Sequence, residues 1–275
     1  MHGVPENRLT RAAKVWWGRL RPAMLAGRAE NRRYRAQIEP AFDGFMTRVR
    51  GKTMTSPQRQ YALCLAVRYL VRAGIPGAFV ESGVWRGGSS MLTAFTLCHE
   101  GETDRNLWLY DTFAGMASPG DIDVNWRGEH ARKPWAASRG GGHNSWCYAG
   151  IEEVRTNLES TGFPMKNVEF VVGPVEETLP TTAPESIALL RLDTDFYAST
   201  RCELEHLFPL LSPGGVLIVD DYGSWRGARR AVDEYFGDRP TCLVPLDASS
   251  RLMVKSGVEA DPLRSNASRQ RLGVA

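Results

Sequence analysis

The sequence predicts an α/β domain built on a doubly wound, mostly parallel sheet of about seven strands. Three observations carry that expectation. From Ser56 onward, short apolar runs of strand length alternate with longer helical stretches. The runs are apolar on successive residues, as in strands covered by helices on both faces. Several end in acidic or glycine-rich turns, at the edge where an open parallel sheet gathers its ligands.

Ser56-Pro57 supplies an N-cap and a first-turn proline, Tyr61, Leu65 and Tyr69 form an apolar stripe, and Gly74 stops that helix. Ala78-Phe79-Val80 has the length of a buried strand and leads through a glycine-rich turn into a helix reaching about Leu97. A second strand, Leu107 to Tyr110, ends at Asp111. Further strands are expected at 168–172, 187–192 and 215–219, with helices near 150–160, 197–211 and 226–236. Two β-rich runs, 241–246 and 251–255, flank a short polar turn and read as a terminal hairpin. Residues 114–149 break the rhythm, holding Pro119-Gly120, Trp126, Trp135, Gly140-Gly141-Gly142 and Trp146 with no clear period. So long an insertion in a compact domain is a lid or a linker. Three tryptophans favour a lid, with the glycine triplet as a candidate hinge. The domain is therefore expected over 56–257, after a helical arm at 1–55 and before a flexible tail at 258–275.

The chain has 275 residues, 43% hydrophobic and 24% charged, ordinary globular values that allow a sizeable core. No stretch reaches the roughly 18 apolar residues of a membrane span, and residues 1–10 are polar where a secretory signal would be apolar. Five cysteines (64, 98, 147, 202 and 242) are too scattered for a zinc knuckle or a disulfide scaffold. A reducing, cytoplasmic location is expected. Residues 1–52 carry 12 Lys/Arg against 4 Asp/Glu, and the rest of the chain 22 against 27. A basic arm on a slightly acidic body can meet nucleic acid or an anionic surface. Its arginines, however, fall at helical spacing beside Trp16, Trp17, Leu20, Leu25 and Tyr34, as in an amphipathic helix that packs on the body or on another subunit. A homodimer or higher homo-oligomer through the arm is expected, and no nucleic-acid partner.

The first strand ends in Glu81-Ser82-Gly83-Val84-Trp85-Arg86-Gly87-Gly88-Ser89-Ser90. Glycines let a ligand approach the backbone, and the following helix N-terminus favours negative charge. The spacing Glu81-x-Gly83-x-x-x-Gly87 is not that of a pyrophosphate loop, and Glu81 would repel one. A carboxylate there suits a cation, such as the ammonium or sulfonium region of S-adenosylmethionine. Asp111, at the end of the second strand, stands where such folds set a carboxylate against ribose hydroxyls. The third strand leads into Val171-Val172-Gly173-Pro174-Val175-Glu176, making Val175 and Glu176 candidate adenine contacts.

The fourth strand finishes at Asp193-Thr194-Asp195 and the fifth at Asp220-Asp221. Carboxylates converging on one sheet edge repel one another unless a cation neutralises them. Hard oxygen ligands without His or Cys suit Mg²⁺, with Mn²⁺ or Ca²⁺ as alternatives. A metal binding a substrate hydroxyl lowers its pKa, and one of the carboxylates can take the proton. His143 is the lid histidine that follows the glycine triplet, a candidate auxiliary base on closure.

Four segments carry a family resemblance: residues 80–90; Tyr110-Asp111-Thr112-Phe113-Ala114-Gly115-Met116; Leu189-Leu190-Arg191-Leu192-Asp193-Thr194-Asp195-Phe196-Tyr197-Ala198-Ser199-Thr200; and Leu211-Ser212-Pro213-Gly214-Gly215-Val216-Leu217-Ile218-Val219-Asp220-Asp221-Tyr222. Over about 56–240 the chain resembles the macrocin-type O-methyltransferases, enzymes of the Rossmann-like class I methyltransferase fold that use S-adenosylmethionine and Mg²⁺ to methylate sugar hydroxyls. The resemblance implies Asp193, Asp220 and Asp221 as metal ligands, Asp193 as the base, and Glu81, Gly83, Ser89 and Asp111 around the cofactor. It implies a sugar acceptor on a glycosylated natural product, an oligosaccharide or a glycolipid. Two departures stand out: Pro174-Val175 replaces the family's aromatic pair after Gly173, and the lid matches poorly. A metal-dependent glycosyltransferase using Asp193-x-Asp195 is the alternative, but it leaves Glu81-x-Gly83 and Asp220-Asp221 unexplained. A nicotinamide dehydrogenase would need pyrophosphate glycines that are absent, and a non-catalytic module would not need an intact acidic cluster.

Overall fold

The computed structural model describes residues 28–179 and 181–257. The tail at 258–275 and the arm's first 27 residues, with Trp16, Trp17, Leu20 and Leu25, lie outside the described residues. Seven strands form one sheet: β1 (Ala78–Ser82), β2 (Leu107–Asp111), β5 (Val168–Val172), β6 (Ile187–Leu192), β7 (Leu211–Val219), β8 (Val244–Pro245) and β9 (Arg251–Val254). Their order is β5-β2-β1-β6-β7-β9-β8. The first five in that order are parallel, and β9 runs antiparallel to both β7 and β8. Two further strands, β3 (Arg139–Gly140) and β4 (His143–Asn144), pair antiparallel in the lid. The order reverses at β1, so the carboxyl ends of β1 and β6 open the crevice in which such sheets bind ligands.

Period-two alternation divides the core. Phe79, Leu107, Leu109, Leu189, Val216 and Ile218 face one helical layer, and Val80, Tyr110, Leu190, Leu192, Leu217 and Val219 face the other. The first layer contains α1 (Arg28–Arg35), α2 (Pro40–Arg48), α3 (Pro57–Arg72), α4 (Gly88–His99) and α6 (Ile151–Glu159). The second contains α7 (Val175–Thr178), α8 (Tyr197–His206) and α9 (Arg226–Phe236), while α5 (Arg132–Ala137) belongs to the lid. Ser56 caps α3 as expected, its side chain accepting from Arg59 N at 3.2 Å. The expected helix at 197–211 ends at His206 and continues as a short 3₁₀ turn over Phe208–Leu210, because Pro209 has no N–H to give to the α ladder.

One boundary moves. The expected division at residue 55 is no break, because Ile38, Phe42, Met46 and Val49 are buried in the same core as α3 and α4. From Tyr34 onward the basic segment packs on the domain's core, and Lys52–Thr55 line its cavity.

The lid is folded as well. Asp123, buried, accepts from Tyr197 N at the start of α8 (2.9 Å) and from Gly120 N (2.6 Å). Gly227 at the start of α9 leaves the space that Asp123 Oδ1 fills. Trp135 Nε1 donates to the Met116 carbonyl at 3.0 Å. The glycine triplet lies in a tight hairpin. Gly141 and Gly142, at φ 61° and 84°, form the two-residue turn of the β3–β4 hairpin, which demands positive φ at both positions.

Candidate active site

One cavity of about 290 Å³ opens at the carboxyl ends of β1, β2, β6 and β7, near the lower bound of small-molecule sites. Its walls include Glu81, Gly83, Ser89, Asp111, Val175, Glu176, Asp193, Asp220 and Asp221. The sheet therefore brings together every residue picked from the strand ends. His143 does not join them. Its ring packs on Tyr148 with centroids 4.3 Å apart, and its Nδ1 lies 3.3 Å from the Gly141 carbonyl. The tight glycine turn folds β4 back, and His143 is not among the cavity-lining residues, so the structure gives the auxiliary-base expectation no geometric basis.

Local geometry explains the glycine loop. Gly83 has φ 81°, and a Cβ there would penetrate the Asp193 carbonyl. Only glycine lets the end of β1 lie this close to the end of β6. Gly87, at φ 79°, begins α4. Gly88 donates to the Lys52 carbonyl at 3.0 Å, fixing the segment that leads into α3 against the loop. Asp111 holds the same loop from the neighbouring strand: Oδ2 accepts from Val84 N (2.7 Å) and Trp85 N (3.0 Å), and Oδ1 from Phe113 N (2.7 Å). Burial nevertheless raises its pKa.

The charged centre is organised by two arginines that the sequence reading passed over. Arg191, buried in the apolar strand β6, donates Nη1 to Glu81 Oε1 at 2.8 Å and Nη2 to Asp220 Oδ1 at 2.9 Å. Its Nη1 also lies 2.8 Å from Asp193 Oδ2. Arg59, from the first turn of α3, contacts Asp220 Oδ2 and pairs through Nε with Asp247 at 2.8 Å. Glu81 thus has its charge already matched by Arg191, with Ser90 donating to its other oxygen. It lines the cavity as a held carboxylate. A signal for Arg191 was available, since a charged residue inside an otherwise apolar buried strand must find partners.

The electrostatics follow from burial. Four carboxylates (Glu81, Asp193, Asp220 and Asp247) share two guanidinium groups, and Asp195 and Asp221 stand beside them without an ion pair of their own. Burial raises the Asp193 and Asp221 pKa values well above the ordinary range, with neighbouring aspartates adding to it. Asp195, held at φ 68°, is pushed up to about 8 by burial and by Asp193. Asp220 moves the other way: burial opposes ionisation, but Arg191 and Arg59 outweigh it and lower the pKa. Asp193, Asp220 and Asp221 each place an oxygen within 4.8 Å of the others. Asp221 Oδ2 is buried with no hydrogen-bond partner. An excess of hard oxygen donors with one orphaned atom fits a divalent cation of the Mg²⁺ class.

The other end of the cavity is built by the lid. Met116, Ala117, Asn125, Trp126, Trp146 and Cys147 line it, together with Ser224 and Trp225 from the loop after β7. Phe196, Trp146 and Trp225 pack edge-on and tilted, with centroids 5.4 to 6.3 Å apart. The expected lid therefore walls the cavity.

Comparison with known proteins agrees with this geometry. The family model described as Macrocin-O-methyltransferase (TylF) matches residues 24–241. The chain is 38% identical over 189 residues to the 8-demethyl-8-(2,3-dimethoxy-alpha-L-rhamnosyl)-tetracenomycin-C 4'-O-methyltransferase of Streptomyces olivaceus, covering 67% of each chain. It is 36% identical over 183 residues to the demethyldecarbamoylnovobiocin O-methyltransferase of Streptomyces niveus, covering 66% of this chain and 67% of that one. Among solved structures it is similar to the O-methyltransferase NovP, with a TM-score of 0.66 and 32% identity, covering 74% of this chain and 82% of the other. The chain belongs to the macrocin-O-methyltransferase family and is an S-adenosylmethionine-dependent O-methyltransferase. That membership leaves the glycosyltransferase alternative without support.

Proposed function

We propose that this member of the macrocin-O-methyltransferase family methylates a sugar hydroxyl on a glycosylated natural product, with a divalent cation, Mg²⁺ first, held by Asp193, Asp220 and Asp221. The observation that carries the reading is the cavity whose one wall is the glycine loop and whose floor is the acidic triad. The rhamnosyl acceptor in the name of the Streptomyces olivaceus relative supports the sugar class.

Bound there, the cation would lower the pKa of the acceptor hydroxyl and S-adenosylmethionine would supply the methyl group. The chain's own residues do the rest. Gly83, Val84 and Trp85 present backbone to the cofactor. Asp111 accepts from three backbone amides, which fixes its carboxylate at the end of β2 where the ribose would lie. Ser199 holds Glu176 at 2.7 Å beside Val175, at the adenine end. Asp193 stands beside the metal position to take the hydroxyl proton once the cation has displaced its own, and Arg191 fixes its Oδ2. Asp220, kept ionised by two arginines, stays a ligand across the neutral range. Trp146 and Trp225 exclude water from the reacting end.

Calorimetric titration with S-adenosylhomocysteine, in Mg²⁺ and in EDTA, followed by methyl transfer to rhamnosides, tests this reading. Binding at micromolar level, transfer abolished by EDTA, and loss of turnover in Asp193→Ala with cofactor affinity retained are expected. Undiminished transfer by Asp193→Ala, or in EDTA, overturns the metal and base assignments.

A further inference from the structure

Among the described tryptophans, Trp126 alone is exposed, at 58%, and it stands at the rim of the cavity that holds the acidic triad. Its indole offers a large, flat apolar face at the mouth of the site. This one is not exposed through slackness. The Asn125 side chain accepts from Arg127 N at 2.9 Å and from Glu129 N at 3.0 Å and donates to Glu129 Oε2 at 2.9 Å, closing the turn 125–129 around Trp126. Trp126 N donates to the Ser224 carbonyl and Arg226 N to the Val124 carbonyl, each at 2.9 Å. Ser224 and Trp225 in turn donate their N–H groups to the Asp221 carbonyl at 3.0 Å. The backbone at Trp126 is therefore held in register with the loop that carries two members of the triad. The Arg127 guanidinium lies over one face of the ring, 4.5 Å from its centroid, so a stacking partner takes the other face.

We propose that Trp126 is the docking platform for the aglycone of the acceptor, a planar apolar group that stacks on the indole while its sugar reaches inward to Asp193, Asp220 and Asp221. This rests on the sugar-acceptor reading above and adds what that reading lacks, a residue that senses the part of the acceptor beyond the methylated sugar. A planar aglycone gains ring contact, whereas an aliphatic one of the same sugar gains little. The enzyme then discriminates glycosides by a group remote from the reacting hydroxyl.

The test uses the full-length chain with Mg²⁺ and S-adenosylhomocysteine, and two probes of one sugar, para-nitrophenyl rhamnoside and methyl rhamnoside. The readout is the ratio of their dissociation constants by calorimetry in the wild type, Trp126→Ala and Trp126→Tyr. The wild type is expected to prefer the aryl glycoside about tenfold, Trp126→Ala to bring the ratio close to one, and Trp126→Tyr to restore most of it. Thermal unfolding midpoints should match, because the ring lies at the surface. A ratio equally large in Trp126→Ala overturns the platform while leaving the sugar reading intact. Binding of neither probe by the wild type, with S-adenosylhomocysteine bound, overturns the rhamnoside reading and the platform with it.

Discussion

Arg191 Nη2 donates to Asp220 Oδ1 at 2.9 Å, joining adjacent strands β6 and β7 through a buried ion pair at the floor of the site. The same guanidinium reaches Glu81 on β1 and Asp193 at the end of its own strand. One cation thus bridges the ends of three neighbouring strands and touches two members of the triad.

Breaking this centre should be costly. Arg191→Met leaves Glu81 and Asp220 buried without their shared partner, a loss of about 3–5 kcal/mol for a pair broken on one side. Urea unfolding of the metal-free protein at neutral pH measures it. A loss below about 1 kcal/mol would show that the pair does not organise the floor.

Stability of the metal-free protein should fall as pH rises from about 5 to 8. Asp193, Asp221 and Asp195, the last up to about 8, have folded pKa values above their ordinary ones. The native state therefore holds protons that the unfolded chain has released, and that stability is lost as pH climbs through the folded values. Asp220 has the opposite sign, and its contribution disappears only on acidification below the ordinary carboxylate range. Mg²⁺ should flatten the slope by replacing protons as counter-charge. A midpoint independent of pH over this range in EDTA contradicts the raised values.

Asp221→Asn should remove the metal response. Its Oδ2 is the orphaned buried oxygen of the triad, and the amide keeps the shape while discarding the charge. Millimolar Mg²⁺ is expected to raise the wild-type unfolding midpoint and to leave that of the variant unchanged. An equal shift in both would move the cation elsewhere.

Gly83→Ala should cost at least about 2 kcal/mol and weaken S-adenosylhomocysteine binding severely. The residue sits at φ 81°, and its Cβ would run into the Asp193 carbonyl, so the ends of β1 and β6 must part. Wild-type affinity in a folded variant would contradict this close approach.

Asp123→Ala should loosen the lid without touching the cofactor. The carboxylate ties the lid to the first turn of α8 through Tyr197 N. Hydrogen exchange is expected to quicken over 114–149, and the acceptor KM to rise several-fold at unchanged S-adenosylhomocysteine affinity. Unchanged exchange in the lid would show that other contacts hold it.

Much of this molecule could be read before it was seen folded. Consecutive apolar runs ending in Glu81, Asp111, Asp193 and Asp220 fixed the parallel sheet and the edge at which ligands gather, because a buried strand can expose polar residues only where it stops. The cofactor and metal candidates were legible for the same reason, and the sheet sets all of them around one cavity. Arg59 and Asp247 were not, since they reach the triad from α3 and from the turn before β9, far away in sequence, and nothing local marks a surface arginine on a helix as a partner of Asp220. His143 illustrates the converse. Its residue type suited a base, but the two-residue turn at Gly141 and Gly142 sets the ring against Tyr148.

The sequence by itself therefore determined the sheet and the acidic edge, which depend on local periodicity and on residues at strand ends, and the family, which four contiguous motifs resemble. Only the tertiary structure decided which charges are matched, that Asp111 staples the glycine loop, that the basic segment from Tyr34 packs on the core, and where the lid presents Trp126. Those outcomes depend on side chains converging from distant segments into a space with little water, where burial makes each unpaired charge costly and packing selects its partner.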